Sequence, residues 1–205
     1  MSILHIMQIA IAFFYINSCS TKTHTHNTSI DEFKGKEIIL PSDSSTIKII
    51  STNTYSYSSF FEQNNVKLVV SVNGECGACI SKLNAVEAFF EEIYLSYDIT
   101  LLVYVNSKTT DFHNFEILNN SEINFKYPLL YDYKNSFLKK NKFLSNEFNH
   151  ILLCDKNNKI LMIGDFTSNK ILREQYVKEI QKHADPLIYD YPIIPPVYES
   201  PLKSP

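Results

Sequence analysis

The chain has 205 residues, 44% of them hydrophobic and 20% charged, with 19 Lys and Arg against 22 Asp and Glu for a net charge of −3. That length suits one ordinary domain plus extensions, and the composition excludes a collagen-like, wholly disordered or multi-span membrane protein. The charge gives no basis for nucleic-acid binding, which needs clustered positive charge. The one basic cluster, Lys139-Lys140-Asn141-Lys142, is short and reads as a solvated helix face.

The N-terminus, from Ile3 to Ile16, is mostly apolar. It is shorter than the ~20 helical residues that span a bilayer, and its length suits the core of a secretory signal. The run ends in Ile16-Asn17-Ser18-Cys19, which resembles the lipobox of bacterial lipoprotein signals, with an aliphatic residue three before the cysteine and a small one just before it. The resemblance implies a signal over residues 1–19, a lipid on Cys19, and a protein held by that lipid on a membrane of the cell envelope, facing the periplasm. Residues 20–31 are polar and Thr/His-rich and read as a tether, with His24 and His26 on an unstructured spacer.

One domain follows, over residues 32–184. "KEIILP" and "TIKIIST" read as short strands around the turn-prone "PSDSS". "NVKLVVSVN" (65–73) is a buried strand by its β-branched run. From Ala78 to Ile93 the apolar residues Ile80, Leu83, Val86, Phe90 and Ile93 recur at helical spacing, with Glu87, Glu91 and Glu92 opposite. "DITLLVYVN" (98–106) is a second buried strand, and a weaker helical stretch follows around 110–120. "HILLCD" and "KILMIGDF" form a hairpin across Lys156-Asn157-Asn158. The last helix, about 169–183, has Thr167 or Ser168 as its cap and Ile171, Leu172, Tyr176 and Ile180 as its apolar face. The tail, residues 185–205, carries six of the eight prolines and reads as extended, since proline fixes φ and removes a donor.

A strand–helix–strand crossover makes a parallel pair, and the later hairpin adds antiparallel strands to the same sheet. Cys76 and Cys79, in "GECGAC", fall where the first core strand gives way to its helix. With that element order, the C-x-x-C in that place resembles the thioredoxin fold over about residues 36–184. "YPLLYDYKNSFLKKN" (127–141) and "HILLCDKNNKILMIGDF" (150–166) are similar to segments of the redoxin branch, the thiol-disulfide reductases of the TlpA type, and to small lipid-anchored redoxins of Bacteroidetes. The resemblance implies an α/β fold of three layers, α/β/α, on a mixed central sheet. It implies a thiol-disulfide oxidoreductase, with protein thiols and disulfides as substrates, an upstream reductant as partner and no cofactor. Cys76, at the helix N-terminus, would be the nucleophile and Cys79 the resolving thiol, with Gly77 allowing a tight turn between them.

The sequence departs from that family at several points. Glu75 stands before Cys76 where Trp is usual, and Val70 occupies the place of a buried acid. The proline that ordinarily faces the disulfide has Asn149 and His150 as its counterparts, which makes these two the candidate substrate loop. A peroxidase is excluded, because a Thr and a Pro are missing three and seven residues before either cysteine. Two other readings stay open. In one, Cys76–Cys79 is a structural disulfide on a binding module, since fold alone does not settle activity. In the other, Cys76, Cys79 and His150 hold a soft metal such as copper. Cys154, in an apolar strand, reads as a buried small hydrophobe, and "DKNNK" as a turn rather than a calcium loop.

Overall fold

The computed structural model describes residues 30–50, 66–107, 113, 115–116, 124–144 and 150–187. The signal with Cys19, nearly all of the tether, most of the 110–120 stretch, Asn149 and the tail from residue 188 lie outside them. A helical turn, α1 (Ile30–Phe33), precedes β1 (Lys48–Ile50), β2 (Val66–Asn73), α2 (Gly77–Ile93), β3 (Ile99–Asn106) and β4 (Leu129–Tyr131). Then come α3 (Ser136–Lys140), β5 (His150–Asp155), β6 (Ile160–Ile163) and α4 (Lys170–His183).

The six strands form one sheet in the order β1-β4-β3-β2-β5-β6. The parallel core is β2 with β3, running from Val66↔Ile99 to Asn73↔Asn106, and β3 with β4. Antiparallel partners flank it: β1 on β4, and the β5–β6 hairpin on β2. Because β2 is central, its side chains are buried on both faces, which explains the unbroken apolar run. Val66, Leu68, Val70 and Val72 meet α2 (Ile80, Leu83, Val86, Phe89) and α4 (Tyr176, Ile180) on one face. Val69, Leu102, Tyr104 and Leu152 meet Ile38, Ile47, Phe137 and Leu138 on the other. Helices therefore cover both faces of a mixed sheet, as the sequence implied.

Three local expectations change. "KEIILP" is not a strand; only Glu37 makes an isolated bridge, to Lys159. Its polar backbone is satisfied otherwise: Ile38 N–H donates to Asn158 O at 2.9 Å, and the Asn141 amide clamps Ile39, accepting its N–H at 2.7 Å and donating to its carbonyl at 2.8 Å. The cap of α4 is Asn169, whose Oδ1 accepts the Leu172 N–H at 3.0 Å, in place of Thr167 or Ser168. Ile171 is 71% exposed, because the core-facing stripe Leu172, Tyr176, Ile180 repeats every fourth residue and Ile171 falls off it.

Asp132 closes β4 and opens α3. It is fully buried, and its two carboxylate oxygens accept the N–H groups of Ser136 at 2.8 Å and Phe137 at 2.7 Å. Replacing it leaves two buried donors without an acceptor. Asp132→Ala should cost about 2 kcal/mol in urea unfolding, with Asp132→Asn costing less.

Candidate active site

The two cysteines of "GECGAC" are joined: Cys76 and Cys79 form a disulfide with a Cα–Cα separation of 5.2 Å. Asn73, the last residue of β2, builds the turn that brings them there. Its carbonyl accepts the Cys76 N–H at 3.2 Å and its side-chain oxygen accepts the Glu75 N–H at 2.9 Å. Gly74 donates to Asn106 O at 2.9 Å, tying the turn to β3. Cys76 is the N-cap of α2, with extended backbone (φ −114°, ψ 105°). The Cys79 N–H points back at it, 2.9 Å from its carbonyl oxygen and 3.3 Å from Sγ.

The sulfurs are unequal. Cys76 is half-buried, while Cys79 is only 6% exposed, on the core side of the helix. On reduction, a Cys76 thiolate would keep the Cys79 N–H and the positive end of a 17-residue helix, both of which favour the charged form. Glu75, exposed beside it, opposes that.

The glycine that matters here is Gly74, not Gly77. A side chain on Gly77 would meet nothing within 4 Å, and Gly77 is not among the residues of positive φ. A Cβ on Gly74 would stand 2.9 Å from Val105 Cγ1 and 3.1 Å from Ser107 Cβ.

His150 begins β5, opposite Ser71 of β2, and is buried. Strand alternation places it with Leu152 and Cys154 on the face away from α2. Among the described residues no group of three or more His, Cys, Asp or Glu side chains is gathered to hold a metal. The structure thus does not bring His150 to the two cysteines as a third ligand. Cys154 is unpaired and fully buried; burial pushes its thiol up to about 12, so it stays protonated and unreactive.

One feature escaped the sequence. Lys82 of α2 pairs with Asp165, just past β6. Burial draws the Asp165 carboxyl upward, but the hydrogen bonds from Lys82 and Thr167 outweigh it and hold the group below the usual carboxylate range. A depressed acid stabilises the fold above its unfolded pKa, and that contribution is lost as pH falls through the folded value. The partners are 83 positions apart, and no local pattern links them.

No protein-family model matches the chain, and no curated protein matches it. Solved structures do. A thioredoxin-like protein from Porphyromonas gingivalis superposes with a TM-score of 0.51 at 14% identity, covering 72% of this chain and 92% of that one. The fold is thioredoxin-like. The thioredoxin domain of a thiol-disulfide oxidoreductase from Bacteroides vulgatus matches at a TM-score of 0.49 and 14% identity, over 72% of this chain and 97% of that one. In this thioredoxin-like chain the C-x-x-C stands at the N-terminus of the first core helix, as the resemblance implied.

Two measurements follow from this geometry. Gly74→Ala should destabilise the protein by about 1–3 kcal/mol through overpacking, whereas Gly77→Ala should change stability by less than about 1 kcal/mol, both read from urea unfolding. In native protein carrying Cys19→Ser, alkylation after mild reduction should label Cys76 first and leave Cys154 unmodified; rapid labelling of Cys154 would contradict its burial.

Proposed function

We propose that the protein is a thiol-disulfide oxidoreductase that reduces disulfides of other proteins in the cell envelope. The observation that carries this reading is the Cys76–Cys79 disulfide at the N-terminus of α2, with one cysteine half-exposed and the other buried. In this mechanism the Cys76 thiolate attacks a substrate disulfide, forming a mixed disulfide and releasing one substrate thiolate. Cys79 then loses its proton and attacks the Cys76 sulfur, so that the second substrate thiolate leaves. Two electrons pass to the substrate, and an upstream reductant restores the dithiol. Asn149 and the backbone of His150, ahead of and at the start of β5, meet the substrate chain. The lipid on Cys19 and the polar residues 20–31 tether the domain, residues 32–184, to the membrane facing the periplasm, and the Pro-rich residues 185–205 extend from it. No helix among the described residues is long and apolar enough to cross a membrane itself.

A second reading, a permanent disulfide on a binding module, draws on Val70 in β2, where the family's buried acid is missing, and on Asn149 and His150, where its proline is missing. Thiol trapping in glutathione buffers separates the two. The exchange reading expects a reduction potential between roughly −120 and −270 mV, whereas a value below about −300 mV belongs to a structural disulfide. Insulin-disulfide reduction should be abolished by Cys76→Ser, while Cys79→Ser should accumulate mixed disulfides with substrate; activity surviving Cys76→Ser removes that residue as nucleophile.

A further inference from the structure

The exchange steps above leave open what governs the proton of the buried thiol. Lys82 lies three residues after Cys79 on α2, a spacing that puts side chains side by side with Cβ atoms ~5–6 Å apart. Its ammonium is paired with Asp165. Asp165 follows Gly164, whose N–H donates to Ile151 O at 3.0 Å, and Ile151 is in register with Val70. The pair therefore sits at the disulfide end of the sheet. Its two side chains line a narrow pocket between α2 and the strands, with Val70, Val72 and Ile151 among the walls and room for about one water molecule. The side chains are 35% and 32% exposed, so the pair touches solvent where Cys79, at 6%, does not.

Other charges near this part of α2 are few among the described residues. Glu75 is exposed ahead of the helix. Further along, Glu87 and Glu91 pair with Lys126, and Glu92 with Arg173. His150 projects from the other face of the sheet.

We propose that the Lys82–Asp165 pair sets how readily Cys79 gives up its proton: the ammonium favours the Cys79 thiolate, and Asp165 limits that pull by holding Lys82 and offsetting its charge. This rests on the exchange reading and adds what tunes its second step. In that step the Cys79 thiol releases its proton to water, and the thiolate attacks Cys76 Sγ of the mixed disulfide. The Cys76–Cys79 bond forms, the bond from Cys76 to the substrate sulfur breaks, and the substrate thiolate takes a proton from solvent. Lys82 and Asp165 touch neither sulfur in this scheme and act as positioning residues.

The two charges have opposite signs, so removing them one at a time has opposite effects. Lys82→Gln leaves the carboxylate unbalanced and makes Cys79 a weaker acid. Asp165→Asn leaves the ammonium unbalanced and makes it a stronger one. For a half-solvated pair the change in thiolate fraction is on the order of threefold to tenfold each way.

The experiment is an NMR titration of the reduced 205-residue chain carrying ¹³Cβ-labelled cysteine, in wild type, Lys82→Gln, Asp165→Asn, the double variant and Lys82→Arg. The expected result is a Cys79 midpoint raised in Lys82→Gln, lowered in Asp165→Asn, and near wild type in both the double variant and Lys82→Arg. A purely structural ion pair would lower stability in both single variants without moving the midpoint in opposite directions. Unmoved midpoints, or shifts of one sign, overturn the proposal; if either single variant fails to fold, the remaining one against Lys82→Arg decides by the sign of its shift. The wild-type potential is measured alongside. A potential in the structural range overturns the exchange reading whatever the titrations show, and a catalytic potential with unmoved midpoints overturns only the role given to this pair.

Discussion

The side chains of Val105, in β3, and of Ser107, just past it, stand so close to Gly74 that a Cβ there would collide with them. That approach, with the hydrogen bond from Gly74 to Asn106 O, sets where β2 stops and how the chain leaves the sheet. Asn73 then folds the next residues back on themselves with its own carbonyl and side-chain oxygen. The turn delivers Cys76 to the helix as its cap. A displaced turn would carry the sulfur away from the end of α2 and lose the helix-end field that favours a thiolate.

The same turn makes the two sulfurs chemically different. Cys76 is half-buried, with an N–H already directed at its sulfur. Cys79 is one helical turn inward, on the stripe that continues through Ile80, Leu83 and Val86 into the core. Burial disfavours the charged form of a thiol, so a Cys79 thiolate would need a compensating charge nearby. A disulfide with both sulfurs equally buried would need neither feature.

Much of this was legible in the sequence because β2, β3 and α2 carry strong, uninterrupted patterns: β-branched runs buried on both faces, then apolar residues at helical spacing. The C-x-x-C marks the site because it falls at the junction of two such patterns, where a strand's period gives way to a helix's. What was not legible depended on contacts between distant residues. "KEIILP" has a strand's composition, but the amide of Asn141, 102 positions away from Ile39, takes its hydrogen bonds. Gly77 looked like the pivot because it lies between the cysteines, yet the steric demand falls on Gly74, from β3. Thr167 and Ser168 are good caps by type, but Thr167 is drawn to Asp165 and Asn169 caps the helix instead. His150 follows strand alternation away from α2, which its place as the counterpart of the family's proline could not show.

Val70 shows how the charge near Cys79 is arranged in this chain. A carboxylate at that position would project from the central strand into the apolar core against α2, where the cation of the adjoining pocket, Lys82, is already paired with Asp165. Taking a charge out of water without a matched partner costs several kcal/mol. The chain instead keeps β2 apolar and places Lys82 and Asp165 at the rim of the same pocket, paired with each other and partly solvated. A rim pair avoids most of the desolvation cost, and Lys82 stands within a helical turn of Cys79 on α2. Its field is weaker for the same reason, because solvent screens it. The expected consequence is a modest adjustment of Cys79 rather than the large shift a buried acid would impose, which suits a site whose electrostatics can be changed at the surface without disturbing the core.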